Sequence, residues 1–446
     1  MKVKEILKVT KGKMLFGNEE LEVENFSKDT RTIQKGDIYI GIKGEKFDGS
    51  NFWNQALDAG ATAVIISNIQ ISKEEKEKYK DKTIIQVEDT FEALYEIAKY
   101  KRSLYNIPVI AVTGSVGKTS TKDIIASVVS QKYKTLKTEG NNNNNIGLPL
   151  TILKLKDHEA LVVEMGMNHF GEISLLTNIA KPTLAVITNI GTSHIGNLGS
   201  RENILKAKLE ILEGMKIPRV IINNDNDLLH KWYEENKEKI EIHTYGIENA
   251  SEVMAEDIKL NENDSEFICN IKGNKFKVKV PVGGIHFVYN AICSATVGNL
   301  LGLSADEIKK GIKFHEIETN KFKTISVDVN FYREIKEDEI TKRNLLKMIL
   351  LDSNNDYKTE RELIIESERL YDIKISSGIS RIGKFSDLSF QTKFLNEKYT
   401  EEDMNKESII FFLSLIFNPC VKEGRFVNID KQKNRLYQEI NSLKDN

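Results

Sequence analysis

"VIAVTGSVGKTS", residues 109–120, is the stretch on which the reading of the fold turns. Strand-forming residues Val109 to Thr113 run into a loop with glycines at 114 and 117, then Lys118, Thr119 and a helix-forming segment. A strand, a glycine-rich turn and a helix N-terminus make a phosphate cradle, because main-chain N–H groups and the helix dipole both face the anion. Lys118 can reach the β- and γ-phosphates, and the Thr119 hydroxyl can hold Mg²⁺. The general pattern G-x-x-x-x-G-K-[ST] requires glycine at 112, where this chain has Val112. The loop is the shorter T-G-x-x-G-K-T, and Gly114, Ser115, Val116, Gly117, Lys118, Thr119 and Ser120 are its expected ATP-binding residues.

On either side the same grammar of short strands and helices continues. Residues 1–105 alternate strand-like runs ("GDIYIGI", "ATAVIIS", "KTIIQV") with helical ones, which predicts a small α/β domain. Beyond the loop, "ALVVEMG", "TLAVITNI" and "RVIINN" read as buried strands separated by longer helical patterns, as in parallel βαβ units. Residues 265–282 read as a hairpin turned at Gly273-Asn274. A helix ending near Gly302 and a short capped helix, "SADEIKKGI", follow.

Five further stretches resemble the Mur ligase family, in the right order. They are "FSKDTRTIQKGDIYIGIKGEKFDGSNFWNQALDAGATAVIIS" (26–67), "EGNNNNNIGLP" (139–149), "VVEMGMNHFGEI" (162–173), "NIGTSHIGNLGSRENILKAKLEI" (189–211) and "GGIHFVYNAICSA" (283–295). The resemblance covers residues 1 to about 315 and is to the ligases that join D-alanyl-D-alanine to UDP-N-acetylmuramoyl-tripeptide. It implies ATP and Mg²⁺ as cofactors and an acyl-phosphate route to an amide. It implies Lys118, His194 and Lys208 as catalytic residues, with Thr119, Glu164, His194 and Lys208 around the metal. Lys208 would be carbamylated, and Lys206 is the near alternative. Asn290 would hold adenine, although Phe287 stands where the family often has a second asparagine. Ser27, Thr30 and Arg31 would face the uridine diphosphate, with 43–49 as a second loop, and Asn144, Asn168 and His169 would line the substrate. By residue type alone, Glu164 at a strand end suits a metal at the carboxyl edge of a sheet. A helix lysine such as Lys208 is ordinarily solvated, and Mg²⁺ prefers oxygen to the imidazole of His194.

At "HEIETNKFKTISVDVNFYREI", residues 315–335, the grammar changes. Behind it there is no histidine and only Gly378, Gly383 and Gly424. One long strand, two amphipathic helices, two strands turned at Gly383 and two more helices suggest α+β in blocks. From about 318 the chain resembles the start of a non-catalytic insulinase/pitrilysin-type peptidase, which implies a fusion at residue 316, give or take five, in place of the third ligase domain. The zinc motif of that family, H-x-x-E-H, has no counterpart here, so no zinc is expected.

The fold class is therefore α/β: a small N-terminal substrate domain (1–105), a central P-loop parallel-sheet ATPase domain (106–316) and an α+β peptidase-like fragment (317–446). A formal charge of -2, from 64 Lys+Arg against 66 Asp+Glu, gives no basic excess for nucleic acid. Three dispersed cysteines and an N-terminus without a continuous apolar stretch point to the cytoplasm. No run reaches the ~18 apolar residues of a membrane span, and a monomer is expected.

Overall fold

The short apolar runs become inner strands because side chains on both faces of a parallel sheet are covered. The computed structural model describes all residues except 45–46, 68, 262, 313–323, 337–338, 372, 383–384, 397–403 and 443–446. The chain forms two compact units, Met1–His315 and Glu316–Asn446. The junction expected near residue 316 falls largely outside the described residues, as does the turn expected at Gly383.

The first unit holds two sheets. The smaller contains β1 (Lys13–Phe16), β2 (Phe26–Ser27), β3 (Ile38–Ile40), β4 (Ala63–Ser67) and β5 (Thr83–Val87), in the order β1-β5-β4-β3-β2. Only β1 runs antiparallel. The larger contains β6 (Val109–Thr113), β7 (Thr135–Lys137), β8 (Ala160–Glu164), β9 (Leu184–Ile187), β10 (Arg219–Asn223), β11 (Glu241–Gly246), β12 (Val253–Leu260), β13 (Ser265–Ile271) and β14 (Asn274–Val280). Its order is β14-β13-β12-β11-β10-β9-β6-β8-β7, parallel from β7 to β12, with β13 and β14 antiparallel.

β6 is buried along its whole length between β8 and β9. The chain visits β7 and β8 on one side of it and only then β9 on the other. The carboxyl end of β6 is thus a topological switch point, where open α/β sheets bind ligands. One face of this sheet packs on the helices Lys118–Val129 and Ile285–Leu300, through Ile125, Val128, Val288 and Ile292 among others.

The β13–β14 hairpin turns one residue earlier than the sequence suggested. Ile271 pairs with Asn274, and Lys272 (φ 49°) and Gly273 (φ 96°) form the two-residue turn. Two successive positive φ values match the strand twist, which Gly273-Asn274 would have placed out of register. The helix Ala305–Gly311 carries the expected cap: Ser304 Oγ accepts from the Glu307 N–H, and Glu307 accepts from the Ser304 N–H at 2.7 Å. Ser304→Ala is expected to lower stability by about 1 kcal/mol, measurable by urea unfolding with an unchanged m-value.

In the second unit, β15 (Thr324–Glu334), β16 (Lys374–Ile382) and β17 (Phe385–Leu395) form an antiparallel sheet in the order β15-β17-β16. Helices Ile340–Leu350, Glu360–Arg369, Met404–Phe417 and Ile429–Ser442 accompany it. Its cores gather Phe390, Phe394, Phe411 and Phe412. On β15, Ile325, Val327 and Val329 pack against those cores, while Phe331 and Tyr332 are 40% and 61% exposed. Among the described residues β15 pairs only with β17, so its outer edge carries no ladder. A two-residue-per-strand hairpin, Val421–Lys422 with Arg425–Phe426, was not anticipated.

Candidate active site

The loop after β6 owes its path to its glycines. Gly114 has φ +154°, and a Cβ there would lie 1.9 Å from Thr188 Oγ1. Gly117, at φ 77°, starts the helix Lys118–Val129. The first-turn N–H groups of that helix have no intrahelical acceptor and are free to meet an anion. Lys118 Nζ folds back to donate to Gly114 O at 3.0 Å. Burial holds the Lys118 pKa below its ordinary value, with Glu164 pulling the other way. Ser120 follows on the same helical turn. Ser115 and Val116 are fastened to the segment after β9, and the Val116 side chain is 60% exposed.

Glu164 ends β8 with 1% exposure. Its two oxygens accept from Thr119 Oγ1 at 2.9 Å and Asn143 Nδ2 at 2.7 Å, and its main-chain N–H donates to Thr138 Oγ1 at 3.1 Å. Behind it, Lys122, 1% exposed, donates to Thr138 O at 2.8 Å. The carboxylate is thus held by neutral donors, beside a hydroxyl, next to the phosphate cradle.

A cavity of about 370 Å³ adjoins the loop, and its lining brings together Lys118, Asn144, Asn168, Glu172, His194 and Lys208. Lys208 is 2% exposed, and burial, followed by the charge of Lys118, pushes its pKa down to about 7. Lys206, on the same helix, is exposed, so only Lys208 serves the cavity. His194 has φ 65° and opens the short helix Ile195–Leu198. Burial and then the charges of Lys208 and Lys118 lower its pKa and favour the neutral imidazole, while Glu172 pulls the other way.

Other sequence-chosen residues sit elsewhere. Asn290 Oδ1 accepts from Thr121 Oγ1 at 3.0 Å, outside the cavity lining. His169 is exposed and also outside it. Asn144 Oδ1 accepts from Gly147 N–H at 2.8 Å at the start of the helix Gly147–Leu153, and the Asn168 N–H donates to Glu172 at 2.7 Å. A wider hollow of about 960 Å³ is lined by Thr30, Arg31, Tyr39, Lys43, Phe47 and Phe91, among others. Glu45 and Lys46 of the 43–49 loop lie outside the described residues. Arg31 already grips Asp29, at 2.9 Å from Nε and 2.6 Å from Nη2, which holds the Asp29 carboxyl down at about 2. Ser27 Oγ donates to Asp29 O at 3.1 Å and is not part of the hollow's lining. Glu172, Asn143 and Lys122 were not singled out from the sequence.

Among the described residues no three His, Cys, Asp or Glu side chains come together as a metal cluster. Thr119 and Glu164 nevertheless supply two oxygens beside the phosphate cradle. That suits Mg²⁺, which keeps several waters and takes the rest of its shell from substrate phosphates. Among the described residues no helix is long and apolar enough to cross a membrane.

Residues 112–298 match the Mur ligase middle domain, and residues 22–102 match the Mur ligase family catalytic domain. The UDP-N-acetylmuramoyl-tripeptide–D-alanyl-D-alanine ligase of Bacillus subtilis is 37% identical over 329 residues, covering 73% of this chain and 69% of that protein. The chain belongs to the Mur ligase family. The enzyme of that name from Buchnera aphidicola subsp. Acyrthosiphon pisum is 29% identical over 98% of both chains. The crystal structure of the Thermotoga maritima MurF ligase in complex with ADP is similar with a TM-score of 0.58 at 26% identity, covering 80% of this chain and 77% of that one. The matched Mur ligase middle domain takes in the P-loop, Glu164, His194, Lys208 and Asn290. The other match takes in Ser27, Thr30 and Arg31.

Proposed function

We propose that this chain is an ATP-dependent amide ligase that adds D-alanyl-D-alanine to UDP-N-acetylmuramoyl-tripeptide in the cytoplasm, as a monomer. The observation that carries the reading is one cavity containing Lys118, His194 and the buried Lys208 at the carboxyl edge of β6, β8 and β9. The γ-phosphoryl group passes to the tripeptide's terminal carboxylate, releasing ADP. The amine of D-alanyl-D-alanine attacks the acyl phosphate, and phosphate leaves with the C–O bond as the C–N bond forms. Such transfers depend on positioning and charge neutralisation. Lys118 and the first-turn N–H groups hold the phosphates. Asn144 and Asn168 face the carboxylate end of the substrate, and the hollow around Thr30 and Arg31 takes the uridine diphosphate once Arg31 exchanges Asp29 for the pyrophosphate. Asn290 lies beside Gly117 for the adenine. Thr119 and Glu164, with His194 and a carbamylated Lys208, would hold Mg²⁺, which neutralises charge on the transferring phosphate when bound. By lowering the Lys208 pKa, burial raises the share of the free amine that carbon dioxide requires. The test is phosphate release with ATP, Mg²⁺ and the tripeptide. Release that requires D-alanyl-D-alanine and yields pentapeptide supports the reading, and ATP binding without release favours a nucleotide-binding chain that cannot ligate.

Residues 317–446 are proposed to be an insulinase/pitrilysin-type fragment fused in place of the third domain, which would leave ligation slow through loss of the acyl phosphate to water. What supports it is the blockwise α+β order and a tail without histidine. The Buchnera match, which spans both chains, favours a second reading in which the tail fills the place of the family's own third domain. Deleting 317–446 separates them. Unchanged turnover supports the fusion, and a large loss supports the substituted domain.

A further inference from the structure

The first half of the P-loop is fastened from outside, by the segment that follows β9. We propose that Asn189 is a positioning residue for nucleotide: its carboxamide, with the Thr188 hydroxyl, sets the Val116–Gly117 peptide so that the Gly117 N–H faces the phosphates. The proposal rests on the ATP-dependent reading above.

In a trans peptide the C=O and the following N–H point in opposite directions. Val116 O accepts from Asn189 Nδ2 at 3.1 Å and from Thr188 Oγ1 at 3.0 Å. The Gly117 N–H is therefore turned away from residues 188 and 189, and Gly117 adopts the required φ of 77° without strain. The other end of the carboxamide works in concert. Asn189 Oδ1 accepts from Ser115 N–H at 3.1 Å and Val116 N–H at 3.0 Å. One planar side chain thus bonds three main-chain groups of a loop that lies outside any helix or ladder; the Ser115 N–H also reaches the main-chain O of Asn189 at 3.1 Å, whereas the Val116 N–H relies on the carboxamide. Two more bonds extend the fastening: Gly191 N–H to Ser115 Oγ at 2.9 Å, and Ser193 Oγ to Ser115 O at 3.1 Å. The next residue is His194, so the latch sets the spacing between the cradle and the imidazole.

The experiment compares wild type with Asn189→Ala and Asn189→Asp in the full chain. For Asn189→Ala, the KM for ATP is expected to rise about tenfold or more, the loss of one charge-assisted N–H contact. The KM for the tripeptide should stay within twofold. In nucleotide-free protein, amide hydrogen exchange at Val116, whose N–H donates to Asn189 Oδ1, should accelerate. Asn189→Asp keeps the acceptor but sets a carboxylate oxygen against Val116 O. It should retain the exchange protection and still lose ATP affinity, which covers the case of an alanine variant that fails to fold. An unchanged KM for ATP in both variants overturns the proposal. If wild type shows no ATP-dependent turnover, the ligase reading fails. The exchange data then decide alone, and unaltered protection at Val116 in Asn189→Ala overturns the latch.

Discussion

Lys118→Ala should slow ATP-dependent phosphate release by about 10²–10³-fold, the usual effect of removing one donor aimed at transition-state charge. The substitution leaves the loop path intact, since Gly114 and Gly117 set it and Asn189 and Thr188 fasten it. The lost bond, Nζ to Gly114 O, is one that phosphate would displace anyway. Stability should therefore change little, and the loss should fall mainly on kcat. Steady-state kinetics with ATP and tripeptide varied separately read this out. Phosphate release at the wild-type rate would remove the P-loop from the reaction.

Lys208→Met should act in opposite directions on activity and stability. Without the amine there is no carbamate, and turnover should fall by about 10²-fold or more. Burial disfavours the charged amine, so the folded pKa of about 7 lies below the ordinary 10.5. The unfolded chain then binds the extra proton between those values, and stability rises with pH across that window. Below pH 7 the penalty is complete, on the order of 5 kcal/mol at most for the unmodified lysine. Met of similar length removes it, so the variant should melt higher than wild type at pH 6 and lose that advantage towards pH 10. Equal melting temperatures at pH 6 would show that burial does not depress the pKa of this amine. A carbamylated wild type would be recognised by loss of the difference when bicarbonate is added.

The P-loop was legible because all its signals are local: a five-residue strand, two glycines, a lysine and a helix start. The strand order β9-β6-β8 around it brings Glu164 and His194 to the same edge. Asn143 shows the limit clearly. It is one of five identical residues, and only the fold selects the one whose amide reaches Glu164. Asn189 meets Val116 across 73 residues of sequence, a contact no periodicity encodes. The family resemblance favoured Lys208 over Lys206, and only the fold shows that Lys208 is buried while Lys206 is exposed. Arg31 lines the hollow as its type suggested, but the sequence did not show that Asp29, two residues away, occupies its fork. In the tail, the strand β15 was readable from its alternation, whereas the hairpin at 421–426 is too short to have a period.

The open edge of β15 has a practical consequence for anyone handling the protein. One edge of an eleven-residue strand, the edge away from β17, with a 40% exposed Phe331 and an exposed Tyr332 near its end, offers another molecule a ready template. Loss of material on storage should then be second order in protein, so that halving the concentration lengthens the half-life of a sample. Light scattering of a dilution series would reveal the order, and Tyr332→Lys on that strand should flatten it while the ATP-dependent assays stay unchanged.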